Sequence, residues 1–145
     1  MINESLFSSK KMDWCTPISL FNDLNKEFHF KLDAAADDHN HKCELYYTQQ
    51  QNGLTSSWNC GGTVFCNPPY GSEIKNWVKK AYTEYMENGV KSVLLLPART
   101  DTSYFHDYIY GKAAIRFLRG RLKFTDSLGN ERGNAPFPSM IVIFN

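Results

Sequence analysis

Asn67, Pro68, Pro69 and Tyr70 follow the apolar run Thr63-Val64-Phe65-Cys66 and precede Gly71 and a segment with a single apolar stripe. Two prolines in succession cannot continue a sheet ladder and fix two φ angles, so the chain leaves the strand on one stiff path with Asn67 and Tyr70 held. The chemistry such a loop suits is attack by a planar amino group, whose lone pair is spread into a ring or carbonyl. The Asn67 side-chain carbonyl and the Pro68 main-chain carbonyl could each accept one N–H, favouring a pyramidal nitrogen aimed at a methyl donor. Tyr70 would stack on the base that carries the amine. A rigid strand-to-helix turn without chemistry would use the same residues, so the neighbouring segments must decide.

The elements that would position this loop fit in one domain of 145 residues, 42% hydrophobic and 14% aromatic. No apolar run approaches the ~20 residues of a membrane span. The start Met1-Ile2-Asn3-Glu4-Ser5 is too polar for a secretory signal, so a cytoplasmic location is expected. The formal net charge of +1 leaves any nucleic-acid contact to a local patch. Lys112, Arg116, Arg119, Arg121 and Lys123 form one without an intervening acid, although an ordinary solvated face reads the same way. Cys15, Cys43, Cys60 and Cys66 have no Cys-x-x-C pair and are expected to be reduced. His39-x-His41-x-Cys43 could face one side of an extended segment, but a fourth ligand and the usual spacings are missing, so these read as polar loop residues and no metal is expected.

A flexible leader is expected over 1–12 and one domain over 13–145. Thr16-Pro17 predicts an N-cap and first helical position for a helix over 17–26, with Ile18, Phe21, Leu24 and Phe28 as its stripe. Phe28, Phe30 and Leu32 alternate into Asp33-Ala34-Ala35-Ala36, a strand ending at an acid and small side chains. A short strand at 45–48 and a long polar loop over 49–62 around Trp58 come next. Ile74, Trp77, Val78, Ala81, Tyr82, Tyr85 and Met86 mark a helix stopped at Asn88-Gly89. The apolar run Val90 to Leu96, closed by Pro97, predicts a central strand. A short helix over 102–110, strands over 113–118 and 121–125, a turn at 127–130 and a last strand over 140–144 complete the chain. The fold class expected is a three-layer α/β domain, mostly parallel, with an antiparallel C-terminal hairpin. Asp33, Asn67 and Pro97-Ala98-Arg99-Thr100-Asp101 each follow a predicted strand and should converge on one crevice.

Asp13-Trp14-x-Thr16-Pro17, Leu32-Asp33-x-x-Ala36, Asn67-Pro68-Pro69-Tyr70-Gly71, Pro97-Ala98-Arg99-Thr100-Asp101 and Ala135-Pro136-Phe137-Pro138-Ser139 resemble the phage-type DNA N6-adenine methyltransferases. The resemblance covers nearly the whole chain from about residue 12. It implies a Rossmann-like, seven-stranded fold, S-adenosylmethionine as cofactor, double-stranded DNA as partner and no obligate protein partner. It also implies methyl transfer to N6 of an adenine flipped out of the duplex. Trp14, Thr16, Pro17, Asp33, Ala34, Ala35 and Asn67 would flank the cofactor. Asn67, Pro68, Pro69 and Tyr70 would be catalytic, and Tyr70, Arg99, Asp101, Arg119 and Arg121 would bind the substrate. Two departures stand out. Ala34-Ala35-Ala36 offers no glycine turn, and no acid clearly ends the second strand to grip a ribose, Asp37, Asp38 and Glu44 being the nearby candidates.

Alternatives stay open at this level. The same tetrad resembles that of RNA and protein-glutamine amino-methyltransferases, and the missing glycine also suits a non-catalytic DNA-binding relic. Trp14 and Trp58 could be core or lid aromatics, Asp33 a cap, Arg99 and Asp101 a local ion pair, and Gly120 the relief of a hairpin.

Overall fold

The computed structural model describes residues 14–145. The expected leader over 1–12, and Asp13, lie outside the described residues.

Helix α1, Ile18–Phe28, starts with the Pro17 carbonyl accepting the Phe21 N–H and buries Phe21 and Leu24. It stops at His29, whose left-handed φ of 54° returns its N–H to Asn25. The Asn25 side chain accepts the N–H of Phe30, so one residue turns helix into strand. Phe28 therefore belongs to the helix and not to the expected strand: apolar residues at 21, 24 and 28 fit a helical period as well as 28, 30 and 32 fit alternation. Strands β1, Phe30–Asp33, β2, Leu45–Tyr46, and β3, Thr63–Cys66, come before α2, Ile74–Asn88, which ends at the left-handed Gly89, φ 67°. After it come β4, Ser92–Pro97, a π-helical turn Phe105–Ile109 where a short helix is expected, β5, Ala114–Phe117, β6, Lys123–Thr125, β7, Glu131–Asn134, and β8, Ser139–Phe144.

Among the described residues the main sheet is six-stranded, in the order β2-β1-β3-β4-β8-β5. β2, β1, β3 and β4 are mutually parallel, and β8 runs antiparallel between β4 and β5. This corrects two expectations. The described sheet has six strands rather than seven. The antiparallel end is not a hairpin, because β5 and β8 neighbour each other across a long excursion, and the true hairpin, β6–β7, is a separate two-stranded sheet. Every residue of β4 and β8 is buried, as a strand covered on both faces must be. Successive strand residues point to opposite faces. Phe65 meets Phe21 of α1, whereas Phe144, in register with Ser92 and so with Val64, meets Tyr82 and Tyr85 of α2. The two helices thus lie on opposite faces of a mixed α/β sheet. No helix among the described residues is long and apolar enough to cross a membrane. All four cysteines are unbridged.

The long loop after β2 is pinned and not free. Trp58 is fully buried, which settles its role as core; its indole N–H donates to the Gly53 carbonyl at 2.8 Å and its backbone N–H to Glu84 at 3.2 Å. A Cβ at Gly53 would lie 2.2 Å from the Ala34 carbonyl and 2.9 Å from the Trp77 ring, so only glycine fits between the β1 end and α2. Gly53→Ala is expected to lower the unfolding free energy by about 1–3 kcal/mol, and Trp58→Phe, which orphans one buried carbonyl, by about 1–2 kcal/mol. Urea denaturation followed by fluorescence of the remaining tryptophans checks both; an unchanged midpoint for Gly53→Ala would mean the loop gives way without strain.

Candidate active site

Because β1, β3 and β4 are parallel, their carboxyl ends share one edge of the sheet. β8 enters at that edge with Ser139 opposite Pro97, and the Pro138 carbonyl accepts the Ala98 N–H at 2.8 Å. Leu118, just past β5, donates its N–H to Ser139. The segments 33–36, 67–70, 97–101, 118–121 and 135–139 therefore all gather along this edge, including the three that the sequence placed in one crevice.

Asn67 is the best-defined side chain there. Its amide nitrogen Nδ2 donates to the Trp14 carbonyl at 2.6 Å and to the Thr16 hydroxyl at 3.1 Å. A main-chain carbonyl can only accept, so the NH2 must face Trp14 and the amide oxygen must face away. That oxygen, Oδ1, is buried and has no hydrogen-bond partner among the described residues. Thr16 is not the helix cap expected of it: Pro17 holds the cap position without a side-chain bond, and the Thr16 hydroxyl serves Asn67 instead. Pro68 is buried and Pro69 partly so. The Ser139 hydroxyl, buried at the start of β8, also lacks a partner among the described residues.

Tyr70 is only 9% exposed and donates its hydroxyl to the Leu95 carbonyl at 3.0 Å. Burial, with Cys66 and Tyr104 adding, pushes that phenol well above its usual range, so it stays a neutral donor. Its ring meets Phe124 and Phe137 edge-to-face at 6.1 and 5.6 Å, and both phenylalanines meet Trp14 in the same way at 5.5 and 5.4 Å. The Arg132 guanidinium lies 4.0 Å from the Trp14 ring centre. This places Tyr70 inside an aromatic cluster and leaves little of its ring for the expected stacking. Phe124, Phe137 and Arg132 were missed as site residues. Phe137 belongs to the Ala135-Pro136-Phe137-Pro138-Ser139 motif, whereas Phe124 and Arg132 carry no local signal.

Asp33, 4% exposed, accepts the Lys42 N–H at 2.9 Å and the Ala35 N–H at 3.4 Å, closing the loop after β1. Burial raises its carboxyl above the usual range and these two N–H bonds only partly offset it. Ala34 is fully buried and Ala35 partly so. The ribose candidates Asp37 and Asp38 are engaged locally, Asp37 by the His39 and Asn40 N–H groups and Asp38 by the Tyr46 hydroxyl. His41 stacks on Tyr46 at 3.9 Å, and burial together with Asp33 and Cys60 pushes the Cys43 thiol up to about 12. Among the described residues no group of His, Cys, Asp and Glu is arranged to hold a metal ion.

Arg99 and Asp101 lie at the same edge but form no ion pair with each other; Arg99 sits 5.9 Å from the Phe137 ring centre. Arg119 and Arg121 are exposed on either side of Gly120, φ 75°. Arg116 leaves the expected basic patch: it forms a bidentate pair with Glu27 of α1 at 2.8 and 2.6 Å and covers the Phe28 ring.

The family model described as DNA N-6-adenine-methyltransferase (Dam) matches residues 4–145. The chain belongs to this family. It is 36% identical over 119 residues to the DNA N-6-adenine-methyltransferase of Escherichia phage T1, a match spanning 81% of this chain and 49% of that protein. It is 29% identical over 144 residues to the protein of the same name from Haemophilus phage HP1, spanning 94% and 82% of the two chains. The chain thus spans about half the length of the phage T1 relative.

In this Dam-family chain Asp33 gives a pH test of the β1 end. Its folded pKa is raised, so the folded state holds the proton more tightly than the unfolded state, and stability from this group falls as pH rises above the ordinary carboxylate value. The unfolding free energy of the parent minus that of Asp33→Asn should therefore decrease as pH rises from 3 toward 7. Urea melts at fixed ionic strength measure it; a difference that grew with pH would show that the two N–H bonds outweigh burial.

Proposed function

We propose that the chain transfers the methyl group of S-adenosylmethionine to N6 of adenine in double-stranded DNA, on a three-layer Rossmann-like methyltransferase fold. The observation that supports this most directly is the buried Asn67 Oδ1, which no described residue partners. A buried acceptor left open costs about 1–3 kcal/mol, and an amine N–H offered by a substrate relieves it. Family membership and the names of the phage relatives supply the substrate class.

The residues present also suit the cofactor. Ala34 to Ala36 keep side-chain bulk low at the carboxyl end of β1, beside the segment Trp14-Cys15-Thr16-Pro17 that orients Asn67. Trp14, Thr16, Pro17, Asp33, Ala34 and Ala35 would hold it there, with Asn67 at the boundary between cofactor and base. When bound, the sulfonium supplies an electrophilic methyl group. The adenine must first leave the duplex, because its N6 is otherwise engaged in pairing. Asn67 Oδ1 and the Pro68 carbonyl each accept one N6–H, which localises the lone pair for direct attack, and Pro69 fixes the turn that aims both. Tyr70, locked through Leu95, sets the depth of this pocket and offers the base the exposed remainder of its ring. The surplus proton leaves to solvent. Arg99 and Asp101 border the base, and Arg119 and Arg121 face the phosphates.

Incubation with methyl-labelled cofactor and duplex DNA, tRNA or protein in parallel tests the reading. Label should enter duplex DNA and protect it from methylation-sensitive nucleases, and Asn67→Ala should lower the rate by about 100-fold or more. Label in tRNA or protein alone would overturn the DNA assignment, and an Asn67→Ala enzyme as fast as the parent would overturn the site.

Replacing Arg119 and Arg121 together by alanine should weaken duplex binding and make it less salt-dependent, with the slope of log K against log salt falling by up to about 2. Arg116→Ala should instead lower stability while leaving that slope unchanged. Fluorescence anisotropy titrations at several salt concentrations separate the two effects.

A further inference from the structure

The turn of the β6–β7 hairpin holds out one apolar side chain. Leu128 is 81% exposed, the highest value among the large apolar side chains described. The turn beneath it is stiff. Asp126 accepts the N–H groups of Leu128 and Asn130 through one carboxylate oxygen, each at 2.9 Å, and the Asn130 amide through the other at 3.4 Å. Its main chain closes the turn in both directions with Asn130 and Gly129, the latter at φ 90°. The Asn130 N–H first, and the Leu128 bond after it, hold the Asp126 carboxyl below its usual range, so the turn keeps its shape at neutral pH.

The stem of this hairpin is fixed to the candidate active site. Thr125 pairs with Cys15, Phe124 lies against Trp14 and Tyr70, and Arg132 covers the Trp14 ring. Leu128 lies four residues beyond Phe124, in the turn that ends the hairpin. Arg119, Arg121 and Lys123 are exposed at the root. A rigid apolar point beside cations is poorly placed in water and well placed between base pairs, where apolar wedges occupy unstacked steps.

We propose that Leu128 enters the duplex and fills the space left by the extruded adenine, keeping that base out of the stack while Asn67 holds its amine. This rests on the DNA-adenine reading given above. Leu128 touches the helix stack and not the reacting atoms, so it is a positioning residue.

The test compares single-turnover methyl transfer on two duplexes of one sequence, with the target adenine either paired to thymine or placed in a mismatch that already frees it. Leu128→Ala should lower the ratio of paired to mismatched rates by about tenfold or more, because only the paired base needs forcing out. Leu128→Met should restore that ratio. Met86→Ala, which alters an exposed apolar side chain on α2 away from the site, should keep the parent's ratio. With 2-aminopurine at the target position, binding should brighten the parent complex and not the Leu128→Ala complex. A Leu128→Ala ratio equal to the parent's, or equal losses on both duplexes, would overturn the wedge alone. A parent that methylates neither duplex would overturn the DNA-methylation reading and the wedge with it.

Discussion

The bond from Asn67 Nδ2 to the Trp14 carbonyl is the constraint on which the rest of the site depends. An amide side chain can turn end for end, and only an obligate acceptor or donor nearby decides which end faces a ligand. Trp14 supplies that decision from 53 residues away in sequence, and the Thr16 hydroxyl reinforces it. The same tryptophan turns its ring to Phe124, Phe137 and Arg132, and its neighbour Cys15 bridges to Thr125. One short segment thus ties the acceptor, the aromatic cluster and the hairpin together, so a displacement of any one of them reaches the others.

Topology explains why the hairpin stands where it does. β5 lies parallel to β4 and therefore ends at the carboxyl edge, while β8, antiparallel to both, begins there. Whatever the chain inserts between them must leave from and return to that edge. The excursion over 118–138 is consequently rooted at this edge, and Phe124, Thr125, Arg132 and Phe137 from it reach Trp14, Cys15 or Tyr70. A terminal hairpin of β5 and β8 would have spent only a few residues on this connection and left the edge bare.

What could be read from the sequence was what short-range chemistry encodes. Proline pairs announce the Asn67 to Tyr70 turn, a three-and-four residue period announces α2, and an unbroken apolar run closed by proline announces β4 as a central strand. The β1 end at Asp33 and the 97–101 segment follow strands legible in the same way, and parallel pairing brings both to the carboxyl edge. The remainder depends on partners distant in the chain. Arg116 looks like a free cation until Glu27, 89 residues earlier, is beside it. Thr16 before a proline looks like a cap until Asn67 claims its hydroxyl. β7, with the sequence Glu-Arg-Gly-Asn, has no strand propensity and exists because β6 offers it a ladder.

The absence of glycine in the turn after β1 acquires a different meaning in three dimensions. Glycine is required where φ is positive or where backbone approaches backbone. Among the described residues the only non-glycine positions with positive φ are His29 and Asn52, so Ala34, Ala35 and Ala36 need no such freedom. The Ala34 and Ala36 N–H groups bond to the carbonyls of Phe65 and Tyr47, and the Ala35 N–H bonds to the Asp33 carboxylate. The close approach still occurs, but its glycine comes from elsewhere: Gly53 lies against the Ala34 carbonyl, where any Cβ would collide. A turn wired by a buried carboxylate and backed by a distant glycine can therefore be as tightly defined as one built on local glycines. A ligand at this strand end would find the N–H groups of Ala34, Ala35 and Ala36 already spent.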